Sequence, residues 1–369
     1  MSSAEGGRGA ARGGGGGLWL FSRRWDLIAF VGPVVASLLL VLVGVPLGLV
    51  DGAATDTPEW TWLACVLAVD VAHVWGNLVL VYADPVERRR RAGLYFGLPL
   101  AALAISVALA SEGEIYFWRI LAAIAVWHFV RQQIGWVRLY RAKAGEGGGW
   151  RRVVDEGAIY AATLGPILWW HGHLPRPFAW LVPGDFVAGV PGWVGELALG
   201  IEAACLLAYV TKIAIEVRER RSESAENARP VNWGKHIIVG STALLWWLGI
   251  VAFASDYVFA VTNVLAHGVP YIVLIVMTAR RRVQAGASLP RVFRYGAGII
   301  VALLVVLAFV EEGAWDRLVW HERGWLFPVG TVDLEAWRWV VVPLLAWPQL
   351  THYLLDGFIW KRRQNPYLV

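Results

Sequence analysis

Four histidines, His73, His128, His267 and His352, stand inside long apolar stretches, where an ionisable side chain is costly and marks a functional candidate. Each has polar company at helical spacing. Asp70, His73 and Asn77 stand at i, i+3 and i+7. His128 is followed by Arg131 at i+3 and Gln132 at i+4, and the pairs Asn263/His267 and His352/Asp356 are four apart. On a helix these spacings put the partner on the histidine's own face. A metal-bound imidazole hands its second ring N–H to such a partner, or the carboxylate itself becomes a ligand. The pattern points to a metal centre with His73, His128, His267 and His352 as ligands and Asp70 and Asp356 as ligands or supports. Asn77, Gln132 and Asn263 are expected around it, and Asp356, Arg131 and Glu202 are the candidates for a catalytic role. A lone intramembrane histidine is often only an interhelical hydrogen-bonding residue. Four at one depth, two with a carboxylate on the same face, favour a shared site over polar glue.

Donor type narrows the ion. Imidazole with carboxylate suits iron, zinc or manganese, and Cys65 and Cys205, both in apolar stretches, offer no thiolate site. Non-haem iron, as one ion or two, is the expected cofactor. Haem fits less well, because it prefers paired axial histidines in an apolar slot without neighbouring carboxylates. A proton or ion relay through the same His and Asp residues is the competing reading. His171, His173 and His321 fall in outer loops or at their edge, and His236 near an interface.

The elements that position these residues follow from composition. Of 369 residues 57% are apolar and 17% charged, and the mean hydropathy is +0.53. An average soluble domain carries about 25% charged residues. A disordered chain, a fibrous repeat and an ordinary soluble enzyme are thereby excluded, and an all-α, polytopic membrane bundle is expected. About 20 apolar residues span a bilayer. Ten stretches qualify: 27–50, 61–83, 93–110, 116–139, 154–171, 193–215, 235–254, 257–279, 293–311 and 337–360. Of the 33 basic residues, Arg119, Arg176, Arg317, Arg323 and Arg338 fall on one side, Arg131 falls within a span, and the rest lie on the other side. That bias predicts both termini in the cytoplasm of a bacterial inner-membrane protein, with no nucleic-acid partner. Residues 1–25 are expected to form a disordered Gly/Arg-rich tail, and 26–369 a single membrane domain. Arg23 and Arg24 read as the anchor of the first span rather than as a cleaved export signal.

The polar residues occupy the even-numbered spans. Counting residues to the next basic cluster puts the four histidines about 14–22 Å from the cytoplasmic charges, with Glu202 at the outer edge of that layer. Many of the 23 tryptophans sit at span ends, as an interfacial belt does. Trp75, Trp127 and Trp347 lie mid-span, where bulky packing within the bundle is the expected role and lining an apolar channel the alternative. Arg131 is expected to pair with Asp70, Asp356 or an anionic head group.

The segments His128-Phe-Val-Arg-Gln-Gln-Ile-Gly135, Asn263…His267…Tyr271 and Thr351-His352-Tyr353…Asp356-Gly-Phe-Ile-Trp360-Lys361 resemble the signature of an uncharacterised family of bacterial multi-pass, histidine-rich membrane proteins. In that pattern further histidines stand near 133 and 272, where this chain has Gln133 and Ile272. A more distant likeness is to the Brp/Blh-type carotene-cleaving dioxygenases, which bind iron through histidines of several membrane helices. That likeness implies oxygen-dependent attack on an apolar polyene or lipid. The expected function is an integral membrane, non-haem iron oxygenase, desaturase or hydroxylase acting on a lipid or isoprenoid, with an electron-donor protein as a further partner. A proton-coupled transporter and a haem-binding electron-transfer subunit are the alternatives.

Overall fold

A backbone in hydrocarbon must satisfy its own N–H and C=O groups, and an apolar chain without sheet patterning does so as helices. The computed structural model describes residues 18–51, 57–222, 230–287, 289–328 and 330–361, and contains no strand among them. Most of the expected N-terminal tail lies outside the described residues. Its last part is tied down, because the Leu20 and Phe21 N–H groups donate to Asp26 at 2.6 and 2.9 Å.

Among the described residues seven helices are long and apolar enough to cross a membrane: α1 (Arg23–Gly44), α2 (Glu59–Tyr82), α3 (Gly93–Glu112), α6 (Gly192–Ser222), α7 (Trp233–Ala252), α8 (Asp256–Gln284) and α9 (Ala297–Trp320). The expected count of ten included three more regions, and these fold as α4 (Glu114–Lys143), α5 (Trp150–Gly172) and the pair α10 (Arg338–Leu345) and α11 (Trp347–Ile359). They fall short of an apolar span for physical reasons. α4 carries His128, Arg131, Gln132 and Gln133 along its length, α5 opens with Arg151, Arg152, Asp155 and Glu156, and the last stretch breaks at Ala346 between Pro343 and Pro348.

α2, α8, α4 and α11 form an inner ring. α2 packs on α8 and α11, α11 packs on α4, and Gln132 of α4 donates to the main-chain O of His267 in α8 at 2.7 Å. The other helices surround this ring, and α6 packs on α5. α6 turns Leu197, Ile201, Leu207 and Val210 outward, and α9 turns out Val306 and Val310. Exposed aliphatic side chains in such number suit lipid rather than water.

Two features bring α2 and α8 close. At Gly76 an added Cβ would lie 2.7 Å from Ile275 Cγ1, and at Gly268 it would lie 2.4 Å from Val69 Cγ1 and 3.1 Å from the Val69 main-chain O. These small residues sit beside His73 and His267 and let the two backbones approach. Both helices also widen just before their histidine. Trp62–Val71 in α2 and Ala260–Val264 in α8 are π-helical, with i→i+5 hydrogen bonding. Such wide turns rotate the following residues about the axis and recur at functional sites.

Candidate metal centre

His73 comes from α2, His128 from α4, His267 from α8 and His352 from α11, one from each helix of the inner ring. Their exposures are 1%, 5%, 0% and 0%, so none reaches solvent. One nitrogen from each ring lies within 4.8 Å of all the others. His73 Nε2 and His267 Nε2 are 3.2 Å apart, and His128 Nε2 and His352 Nε2 are 3.1 Å apart. Nitrogens each about 2.1 Å from one ion would stand about 3.0–3.4 Å apart at right or tetrahedral angles. The two close pairs match that spacing, the widest separation in the group reaches 4.8 Å, and the four-histidine group could bind a metal.

Three of the outer ring nitrogens face an acceptor. His73 Nδ1 lies 3.3 Å from the Val69 carbonyl O and 3.6 Å from Asp70 Oδ1. Asp356 serves two rings, with Oδ2 3.7 Å from His128 Nδ1 and Oδ1 3.8 Å from His352 Nδ1. These acceptors favour a proton on Nδ1 and leave the Nε2 lone pairs of three rings directed inward. Converging lone pairs repel, and a cation among them removes the repulsion. Asp356 is held in place by Asn77 Nδ2 at 2.6 Å, Tyr271 OH at 2.5 Å and Trp360 Nε1 at 3.2 Å. Trp360 Nε1 also donates to Tyr271 OH at 2.6 Å. Phe129 stacks flat on His267, with ring centroids 3.5 Å apart and 6° between planes. Tyr353 leans on His128 at 4.8 Å, and its hydroxyl accepts from Gln349 at 2.6 Å.

Several expected residues stand elsewhere than their spacing implied. Asp356 and Asp70 lie behind the ring nitrogens rather than among the four converging atoms. Asn77 supports Asp356 rather than its own His73, and Gln132 holds the His267 backbone rather than His128. Asn263 accepts from Thr262 Oγ1 at 2.9 Å and faces Gly249, because the π-helical turn over Ala260–Val264 breaks its i+4 alignment with His267. Arg131 is exposed. It donates to Tyr160 OH at 2.8 Å and lies over the Trp127 ring, so its expected pairing with Asp70 or Asp356 is corrected. Glu202 is also corrected: it packs at the α5–α6 contact, where its Oε2 would be 2.6 Å from a Cβ at Gly165. α6 is not part of the inner ring, so depth alone could not bring Glu202 to the centre. Of the mid-span tryptophans, Trp75 donates to Glu311 at 2.7 Å, Trp127 is 51% exposed, and Trp347 donates to the Pro99 carbonyl at 2.9 Å. Gln133 is buried and accepts from Thr242, and Ile272 packs in the apolar cluster around Leu67 and Ile275.

Residue spacing did not single out Phe129, Tyr271, Tyr353, Glu311 or Trp360. Tyr271 stands four after His267 and Trp360 four after Asp356, so helical periodicity carried a signal for those two. Glu311 lies on α9, and nothing local links it to Trp75. No protein-family model, curated protein or solved structure matches this chain.

Proposed function

We propose that this protein is an integral membrane metalloenzyme holding one first-row metal ion, iron by preference, on His73, His128, His267 and His352. The observation that carries the reading is the convergence of four buried imidazole nitrogens within 4.8 Å, with carboxylates behind three of the rings. Four neutral nitrogen donors suit iron, copper, nickel or zinc. Haem fits poorly, because it would use no more than two of the four converging imidazoles. When bound, iron would supply oxygen chemistry at positions that the four rings leave open. The chain's own residues fix the ligands. The Val69 carbonyl accepts from His73 Nδ1, the Asp356 carboxylate stands 3.7 and 3.8 Å from the Nδ1 atoms of His128 and His352, and Phe129 stacks on His267. The substrate class that suits a centre within an apolar bundle is a lipid or isoprenoid. The likeness to the histidine-rich membrane family and to the Brp/Blh-type dioxygenases favours an oxygenase, desaturase or hydroxylase, supplied by an electron-donor protein where the reaction needs one. The charge pattern supports ten spans in a bacterial inner membrane with both ends in the cytoplasm.

Metal analysis and an optical spectrum of the purified full chain test this. One iron per chain without a Soret band is the expected result. A Soret band would move the reading to haem, and a metal-free, fully folded protein would favour the proton relay.

A further inference from the structure

A second polar site lies at the end of the bundle where basic residues gather. The end of α4, the loop 144–149, the end of α6 and the start of α7 enclose a cavity of about 400 Å³. Arg141, Glu146, Arg151, Arg220, Asn232 and Lys235 are among the residues lining it, and none of the four clustered histidines does. Behind its wall Asp155 is wholly buried. Arg141 Nη1, Lys212 Nζ and Lys235 Nζ all donate to it, the lysines at 2.5 and 3.1 Å. Lys235 also donates to Glu146 at 2.7 Å. Arg141, Lys212 and Lys235 are each more than nine-tenths buried.

Burying this much charge is costly, and the array carries more cations than a structural pin needs. Among the described residues Arg141, Arg151, Lys212, Arg220 and Lys235 face Glu146, Asp155, Glu216 and Glu219, an excess of one positive charge. Donors are also left over. Lys235 uses two of its three ammonium protons on Glu146 and Asp155. Arg151 Nε is buried without a hydrogen-bond partner, 3.9 Å from Glu216. Arg220 donates to the uncharged Pro230 carbonyl at 3.0 Å. Gly147 and Gly148 of the connecting loop line the wall, and the chain then enters the 23-residue α5, whose first turn carries no acid. Its amide groups and dipole favour an anion.

We propose that this cavity binds a phosphate-bearing anion, either a soluble organic phosphate or the phosphate of a lipid head group in the adjoining leaflet. A phosphate offers three or more acceptor oxygens to donors arriving from four chain segments, which a carboxylate cannot do. The volume falls within the roughly 300–1,000 Å³ of small-ligand sites. The site is independent of the metal centre, so either proposal can fail without the other.

The test is titration calorimetry on the full chain in detergent, with inorganic pyrophosphate and dihexanoyl phosphatidic acid as probes. At least one probe is expected to bind saturably. The rim variant R151Q/R220Q, which leaves Asp155 and its buried partners intact, should weaken that binding roughly 10-fold or more, as loss of charge-assisted hydrogen bonds does. R89Q, at an exposed arginine in a separate basic run, should leave it unchanged. Binding of pyrophosphate alone would assign a soluble ligand, and binding of the lipid probe alone a head group. The proposal is overturned if neither probe saturates, or if R89Q weakens binding as much as R151Q/R220Q.

Discussion

The Nε2 atoms of His128 and His352 lie 3.1 Å apart across two helices, although 224 residues separate them along the chain. Asp356 reaches the far nitrogen of both rings, so one carboxylate supports two imidazoles that meet head to head. The carboxylate favours the proton on Nδ1 of each ring, and the facing Nε2 atoms then suit a cation or a shared proton between them. Metal content is therefore the decisive measurement. One ion per chain is expected in the wild type, and H352A should lose it. Retention of a full equivalent of metal in H352A would remove His352 from the site.

Asp356 acts from behind the rings, and its removal should cost less than the loss of a ligand. D356N is expected to fold and to weaken metal affinity roughly 10–100-fold. Y271F, which removes one of the donors to Asp356, should have a smaller effect in the same direction. Competition with a graded chelator measures both. An unchanged affinity in D356N would show that the carboxylate does not support the metal.

The approach of α2 to α8 sets the separation of His73 and His267. G268A places a methyl group 2.4 Å from Val69 Cγ1 and 3.1 Å from its carbonyl O, so the helices must move apart. A destabilisation of about 1–3 kcal/mol is expected from this overpacking, with metal loss alongside. G298A, where an added Cβ meets nothing within 4 Å, is the control. Thermal unfolding and metal content, read together, should single out G268A.

Arg131 and Glu202 lie away from the four-ring cluster, one against Tyr160 and Trp127 and the other at the α5–α6 contact. R131Q and E202Q should leave metal stoichiometry and affinity within about 2-fold of wild type, well short of the 10-fold or greater cost of removing a supporting residue. A loss as large as that of H352A in either variant would contradict the arrangement described.

Asp155 receives Arg141, Lys212 and Lys235 in a buried position. D155N would leave three cations short of their shared partner, and breaking such a pairing typically costs about 3–5 kcal/mol. A marked drop in unfolding temperature is expected, while surviving folded protein keeps its metal. Wild-type stability in D155N would show that the network does not hold these helices together.

Much was legible because membrane physics writes directly into sequence. Uninterrupted apolar runs reveal the helices, and His73, His128, His267 and His352 stand out against them because ionisable groups are rare in hydrocarbon. Helical spacing also reached the His352/Asp356 relationship, since α11 is regular over those residues. What spacing cannot supply is the neighbour. Arg131 stands only one turn from His128, yet its long side chain turns outward to Tyr160 of α5, while His128 turns inward to α11. Asn263 lost its alignment to a π-helical turn that no residue type announces, and Asn77 found Asp356 on another helix. Glu202 shares the expected layer by count but sits on a helix that packs outside the ring. Composition and periodicity thus determined the helices, their polar faces and the four ligand candidates. Only the tertiary structure decided which faces meet, because lateral order among helices depends on close contacts such as Gly76–Ile275 and Gly268–Val69, which join residues roughly 200 positions apart.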